Sequence, residues 1–169
     1  RFSAVKNHSF LVDLLANLRD EGVDAVLVLI GDGELRGEIE RKTQDLGLSG
    51  SVRFLGLRDD VNRLVQAFDV MAFPSLHEGI PLTLIEAQAS GLPVVASDAV
   101  SGEALILPDT VRLSLDAPMS EWTGEVVRLA SSGRFQHAIE QLAEAGYEIR
   151  SSVEALQSAY LSLYEGAIA

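Results

Sequence analysis

The sequence predicts an α/β protein built on a doubly wound parallel sheet. Short apolar runs alternate along the chain with stretches in which apolar residues recur at helical spacing, and this alternation is typical of parallel sheets covered by helices. Several apolar runs end in turns that contain glycine or proline, at the strand ends where such sheets bind ligands. The chain of 169 residues, 47% of them hydrophobic, is long enough for one domain with a real core.

Composition and charge exclude several function classes. The net charge of −12 argues against a nucleic-acid partner and against a broad patch for anionic membranes. The chain has no cysteine, so it can form neither a disulfide nor a thiolate metal site. It shows no signal peptide and no apolar run of the roughly 18 residues that a membrane span needs. We therefore expect a cytoplasmic protein, in which an anionic ligand would need a local exception to the overall acidity.

The first predicted helix follows a basic segment. Asn7 is placed to cap a helix that runs to about residue 21. Its apolar stripe consists of Phe10, Leu11, Leu14, Leu15 and Leu18. Arg1 and Lys6 precede this helix, which is the unfavourable end of the dipole for cations unless an anion lies between them. We interpret His8 as a surface or capping residue rather than a catalyst.

Two further strands end in loops that can face a ligand. The run 25–30 is a buried strand, and Gly31 and Gly33 follow at its carboxyl end, where they permit close backbone approach. The glycines do not complete a G-x-G-x-x-G motif, so an ordinary strand–helix turn stays equally open, and Asp32 is assigned as the cap of a helix that ends near residue 46. The run 51–55 is the next strand, and Leu57 and Arg58 leave its carboxyl end.

The side chain of Arg58 has two possible uses. It could face a ligand, or it could equally pair with Asp59 or Asp60. Asp60 is also assigned as the cap of a helix over residues 61–68.

The central stretch of the chain is 69–87. It consists of a strand over 69–73, a loop, and a helix that opens at Pro81, where a missing N–H has no cost. Free amides at such a helix start attract phosphates. They belong here to Gly79, Ile80, Leu82 and Thr83. On the helical wheel Leu82, Ile85 and Ala89 share the face expected to pack on the sheet.

Two carboxylates, Glu78 and Glu86, bracket the start of this helix. Glu86 lies close to the expected buried face, where a carboxylate is costly unless hydrogen-bond donors such as vicinal sugar hydroxyls satisfy it.

The rest of the chain continues the alternation. A turn at Gly91 leads into a strand over 93–96, a loop over 97–103 and a final short strand over 111–115. Helices are predicted over 119–131, 134–145 and 151–164. Trp122 is assigned to packing, and the last two helices to core or interdomain contact.

The spacing of Glu78 and Glu86, with seven residues between them, resembles a known signature. Together with the segment Ala87-Gln-Ala-Ser-Gly-Leu-Pro-Val-Val-Ala96, it is similar to the motif of retaining GT-B glycosyltransferases of family 4 (glycosyl transferases group 1). The resemblance covers residues 1 to about 116. It implies a Rossmann-like carboxyl-terminal half of a GT-B fold, with residues 1–169 as the nucleotide-sugar donor domain. The amino-terminal acceptor domain, and the strand that precedes Arg1 in the family, would then lie outside this chain.

The resemblance also implies roles for individual residues. Glu78 would be the catalytic residue that holds donor-sugar hydroxyls, and Glu86 would bind the ribose. Leu57 and Arg58 would border the nucleobase, and Gly31 and Gly33 would form a loop facing the nucleotide. The donor diphosphate would be held by Arg1, Lys6, Gly79, Ile80, Leu82 and Thr83.

The resemblance further bears on cofactors. Asp59 and Asp60 are adjacent, unlike the spaced D-x-D that bridges a metal to diphosphate in other transferases, so we expect no metal and no cofactor. The substrate would be a nucleotide-sugar, with a UDP-sugar favoured.

The implied function is that of a hexosyltransferase in polysaccharide or glycan synthesis, similar to bacterial exopolysaccharide and capsule transferases. The chain alone is expected to bind the donor and to transfer little sugar. Two alternatives stay open: an NDP-sugar epimerase-type GT-B enzyme, and a non-catalytic nucleotide-binding module. Any membrane association would come through the missing part. The base, sugar, acceptor and linkage are not readable from the sequence.

Overall fold

The computed structural model describes residues 1–168, and residues 165–168 by their backbone alone. Within this part, five short strands alternate with helices. The strands are β1 (Leu27–Ile30), β2 (Val52–Gly56), β3 (Met71–Phe73), β4 (Val94–Ser97) and β5 (Thr110–Leu113). The helices are α1 (His8–Asp20), α2 (Arg36–Asp45), α3 (Val61–Leu64), α4 (Leu82–Ala89), α5 (Met119–Ser132), α6 (Ala138–Glu144) and α7 (Ile149–Ile168). Single 3-10 turns occupy Ala4–Lys6, Val65–Ala67 and Gly102–Ala104.

The strands form two parallel ladders. β1 pairs with β2, with Leu27 opposite Val52, and β4 lies between β3 and β5, with Val94 opposite both Met71 and Thr110. The predicted α/β class with parallel strands is confirmed, although the strands are hydrogen-bonded as two sheets. Because strands within each ladder run in parallel, the loops at their carboxyl ends share one edge of that ladder.

Helix α1 supplies apolar residues to the cores of both ladders. Leu11 and Leu15 pack with residues of β1, α2 and β2, whereas Leu14 and Leu18 pack with Trp122 of α5 and with β4. The predicted apolar stripe of α1 is confirmed, and it holds the two ladders together. Trp122 is fully buried, as expected of a packing residue; its indole nitrogen donates to the Ser114 carbonyl at 2.9 Å.

Helix α4 buries a different face from the one predicted. Leu84, Ala87 and Gln88 are fully buried, whereas Leu82 is 73% exposed. The helical wheel could not decide this, because apolar residues point in several directions along α4. The rotation is set by Pro81, which is extended and immediately precedes α4 instead of opening it, and by packing of Leu84 and Ala87 against the β4 core.

Of the three predicted caps, Asn7 and Asp60 stand at the N-cap positions of their helices without a capping hydrogen bond from the side chain, whereas the assignment of Asp32 as a cap is wrong. Asn7 adopts a left-handed conformation with φ of 52° and its side chain makes no cap hydrogen bond to α1. Asp60 is the N-cap residue of α3, which stops at Leu64, but its carboxylate binds Arg58 and makes no capping hydrogen bond. The carboxylate of Asp32 accepts a hydrogen bond from the amide of Gly33, and α2 begins only at Arg36.

The two carboxyl-terminal helices differ in burial. Ala138 and Leu142 of α6 are buried against Leu107, so this helix belongs to the core as predicted, although it is shorter than 134–145. Every side chain from residue 151 to 164 on α7 is exposed, so its apolar residues form no core there, and interdomain contact by α7 stays a prediction. No helix in the described part of the chain has the length and apolarity to cross a bilayer.

Candidate functional site

The amino-terminal segment, residues 1–8, joins the loop after β1 to the loop after β3. The amide of Phe2 donates to the Asp32 carbonyl at 3.0 Å, and the amide of Leu35 donates to the Phe2 carbonyl at 3.2 Å. On the other side, the amide of Leu76 donates to the Val5 carbonyl at 2.8 Å. Two loops that lie far apart in sequence therefore border one segment, which carries both Arg1 and Lys6.

The glycine loop after β1 packs against this segment. A Cβ atom at Gly33 would lie 2.4 Å from the Phe2 carbonyl oxygen, and one at Gly31 would lie 3.4 Å from the Arg1 backbone nitrogen. The close approach of the Phe2 backbone thus explains why position 33 requires glycine. The predicted role of Gly31 and Gly33 in facing the nucleotide remains a prediction.

The two cations of the segment have different partners. The Arg1 guanidinium lies 3.8 Å from the Glu34 carboxylate beside the glycine loop, and its side chain is 77% exposed. Lys6 instead faces the central loop, where its ammonium nitrogen lies 2.6 Å from Oε1 of Glu78. The structure therefore brings Lys6 and Glu78 into contact, while Arg1 forms its ion pair elsewhere.

The Lys6–Glu78 pair is partly shielded from water. The side chains are 29% and 16% exposed, and the ammonium also lies 5.0 Å from the centre of the Phe73 ring. Reduced solvent screening strengthens such an interaction relative to one on the open surface. The pair is the most shielded charged contact of the candidate site.

The central loop is fixed to the loop after β4. Glu78 forms an isolated parallel bridge with Val100, and the Ser97 hydroxyl donates to the Ser75 carbonyl. These contacts bring the loop that follows β4 next to Glu78.

The amino terminus of α4 presents free backbone donors. Within the described chain, the amides of Ile80, Leu82 and Thr83 have no acceptor, whereas those of Leu84 and Ile85 both donate to the Pro81 carbonyl. Such a helix start carries a partial positive charge and can bind an anion. A Cβ atom at Gly79 would meet no protein atom within 4 Å, so this loop is open on the outside.

Glu86 lies in surroundings unlike those of Glu78. It is exposed on α4, so its expected proximity to the buried face is wrong, for the same rotation that exposes Leu82. Among the described residues its carboxylate has neither a hydrogen bond nor an ion pair. The carboxylate is free to accept donors from a ligand.

The loop after β2 forms a shallow open depression lined by Leu57, Arg58 and Asp59. Leu57 is 80% exposed. The Arg58 guanidinium makes two hydrogen bonds of 2.8 Å to the Asp60 carboxylate, which lower the pKa of Asp60. Of the alternatives for Arg58, pairing with Asp60 is the one observed, so its guanidinium is already occupied.

The surroundings of His8 differ from those expected for a surface or capping residue. Its ring stacks on Phe2 with centroids 4.2 Å apart, and its buried Nδ1 atom has no hydrogen-bond partner. Burial, followed by the positive charge of Lys6 nearby, lowers the pKa of His8 to about 4. Sequence reasoning missed the stacking of this neutral histidine. The aromatic residue Phe2, six positions earlier, was the local feature that could have indicated it.

Metal ligands do not cluster in the described chain. No group of three or more histidine, aspartate or glutamate side chains there is arranged to hold a metal ion. Independence from metal stays a prediction.

Comparison with known proteins gives one family match. Residues 1–145 match the model described as Glycosyl transferases group 1. The chain is 43% identical over 163 residues to the putative glycosyltransferase EpsF of Bacillus subtilis, covering 95% of this chain and 42% of that protein. It is 34% identical over 176 residues to the lipopolysaccharide core biosynthesis glycosyltransferase LpsE of Rhizobium meliloti, covering 96% of this chain and 47% of that protein.

A solved structure shares the fold. Anabaena HepE, in complex with UDP-glucose, matches with a TM-score of 0.69 and 23% identity, covering 92% of this chain and 47% of that one. The chain thus spans less than half the length of these relatives.

Proposed function

Because this chain belongs to the glycosyl transferases group 1 family, we propose that it is the donor-binding domain of a retaining glycosyltransferase. The complete enzyme would transfer a sugar from a nucleotide-sugar to an acceptor in polysaccharide or glycan synthesis. The observation that supports this most directly is the contact between Lys6 and Glu78 in the loop that leads from β3 to the free amides at the start of α4. The names of EpsF and LpsE and the UDP-glucose bound to HepE agree with it.

The diphosphate of the donor would lie at the start of α4. The free amides of Ile80, Leu82 and Thr83, with those of the open Gly79 loop, supply fixed donors there, and Lys6 supplies a full charge nearby. Arg1 is exposed enough to turn from Glu34 towards the same anion. As the glycosidic bond breaks, negative charge grows on the leaving diphosphate, and preorganised donors stabilise this charge without reorganisation.

The two glutamates would bind different hydroxyl groups of the donor. Glu78 faces the loop after β4 and would orient the sugar ring through its hydroxyls. Glu86, exposed and without a partner in the described chain, would accept the ribose hydroxyls. The base would lie in the depression at Leu57 and Arg58, where Arg58 would act through its backbone because Asp60 holds its side chain.

The acceptor would be held by a part of the enzyme outside these 169 residues. The donor would bind without a metal or a cofactor. EpsF and LpsE are about twice as long as this chain, which is consistent with a division into a donor-binding part and a separate acceptor-binding part.

Isothermal titration calorimetry of the protein with UDP, GDP and ADP tests the proposal. We expect UDP to bind most tightly, because a UDP-sugar occupies HepE. Inorganic phosphate serves as the control for simple anion binding at the helix start. Failure of all three nucleotides to bind at millimolar concentration would contradict the proposed function.

A further inference from the structure

We propose that the Lys6–Glu78 ion pair makes the site favour an intact nucleotide-sugar over the free nucleoside diphosphate. The inference rests on the proposed function and concerns selectivity between the donor and the product that remains after transfer. It assigns to Glu78 an electrostatic role towards the phosphates in addition to its proposed contact with the sugar.

The pair is fixed in place by the fold. Its members are 72 residues apart in sequence, and their atoms lie 2.6 Å apart. Both flanking segments are held by backbone contacts, from Leu76 to Val5 on one side and between Glu78 and Val100 on the other. Among residues 1–164, whose side chains the structure describes, the Glu78 carboxylate has no other hydrogen-bond donor, and the Lys6 ammonium has no other acceptor.

The charge of Glu78 therefore opposes a diphosphate in two ways. It neutralises the ammonium that would otherwise bind the anion, and it adds a negative charge beside the free amides of α4. With side chains only 29% and 16% exposed, water screens these effects less than it does on the open surface. A nucleoside diphosphate must weaken the ion pair in order to bind, and its phosphates supply no hydrogen-bond donor that could replace Lys6 at the Glu78 carboxylate.

A nucleotide-sugar can compensate the Glu78 carboxylate for the loss of Lys6. Its sugar hydroxyls can donate to the Glu78 oxygens as Lys6 turns towards the phosphates, so the carboxylate stays paired. It also carries less negative charge than the free diphosphate, because its terminal phosphate is esterified. The same carboxylate thus favours the donor and disfavours the product, which helps the product to leave.

The test is titration of the wild-type protein and of Glu78→Gln with UDP, pyrophosphate and UDP-glucose. The amide keeps the shape of the side chain and removes its charge. We expect UDP and pyrophosphate to bind Glu78→Gln roughly three- to tenfold more tightly than wild type, the range of a partly shielded ion pair. UDP-glucose should gain nothing or bind more weakly, so that the ratio of the UDP and UDP-glucose affinities changes in favour of UDP.

Glu144→Gln is the matched control, because it removes the same charge from an exposed position on α6. It should leave all three affinities at the wild-type level. If UDP binds wild type and Glu78→Gln equally, or binds the variant more weakly, the inference is wrong while the proposed function stands. If UDP and pyrophosphate bind neither wild type nor variant, and GDP and ADP fail to bind as well, the proposed function fails and the inference fails with it.

Discussion

Single residues of the candidate site differ in how much of their bonding capacity the protein uses. Glu78 is paired with Lys6, and Arg58 is paired with Asp60, whereas Glu86 has no partner in the described chain. A carboxylate that is exposed and has no partner within the described chain loses little when a ligand offers it hydroxyl donors. Among the acids of the site, Glu86 is therefore the one whose removal should affect binding without a compensating gain.

For Glu86→Ala we expect nucleotide binding to weaken by about 1–3 kcal/mol, the usual contribution of hydrogen bonds to a charged group. Calorimetry with UDP measures the change. Glu144→Ala on α6 provides the comparison and should leave the dissociation constant unchanged. An unaltered constant in Glu86→Ala would remove the ribose assignment.

A second residue-scale prediction concerns His8 and pH. Its folded-state pKa of about 4 lies below the value of 6.5 for a free histidine. Between these pH values the unfolded chain binds a proton at His8 that the folded chain does not. The contribution of neutral His8 to the stability of the fold is therefore fully present above pH 6.5 and is lost as the pH falls towards 4. On acidification from pH 7.5 to pH 5, protonation of His8 in the unfolded chain should lower the free energy of unfolding by up to about 2 kcal/mol.

Urea denaturation of wild type and His8→Phe at both pH values measures this effect. The phenylalanine can keep the stack on Phe2 and cannot take up a proton. Wild type should lose more stability on acidification than the variant. Equal losses would show that His8 does not stay neutral in the folded protein.

At the scale of elements, α4 combines a buried face with an open amino terminus. Leu84 and Ala87 hold the helix on the β4 core, and Gln88 fixes the loop behind it. The Gln88 amide donates to the Ala104 carbonyl at 2.7 Å and accepts from the amide of Ile106 at the same distance. These contacts leave the first turn of α4 facing outwards with its amides free.

The orientation of α4 can be tested with two leucines on the same helix. Leu84→Ala removes a fully buried side chain and should destabilise the protein by about 2–5 kcal/mol. Leu82→Ala changes a side chain that is 73% exposed and should alter stability by less than about 0.5 kcal/mol. Urea denaturation compares them directly, and similar losses in both variants would contradict this orientation of α4.

At the scale of the whole molecule, α1 joins two parallel ladders, and the amino-terminal segment joins the loops at their carboxyl ends. A donor bound across these loops would contact residues from positions 1 to 86, which no single element could supply. Residues 151–164 of α7 add nothing to this core, since their side chains are all exposed.

The proposed division of labour gives a prediction for the whole molecule. The 169 residues should bind a nucleotide-sugar yet release no glycoside product when an acceptor extract is added, while the full-length enzyme should do both. Chromatography of labelled UDP-sugar reactions distinguishes the two. Release of an altered free sugar by the full-length enzyme without acceptor would instead indicate the epimerase alternative.

Local sequence determined the parts of this protein that depend on neighbours along the chain. Strand positions such as 51–55, found as Val52–Gly56, and the apolar stripe of α1 follow from periodicity, which reports whether a segment is buried on one face or on both. The Glu78–Glu86 spacing and the helix after Pro81 were likewise local. Residue pattern was sufficient because each of these features is set by backbone geometry over a few residues.

Tertiary structure alone decided which side chains meet. The rotation of α4, the stacking of His8 on Phe2 and the arrangement of the strands in two ladders all depend on contacts between distant segments. The Lys6–Glu78 pair spans 72 residues of sequence, and nothing in either local pattern predicts it. The free energy of such a contact depends on how packing positions both partners and excludes water around them, and this is fixed only when the whole chain has folded.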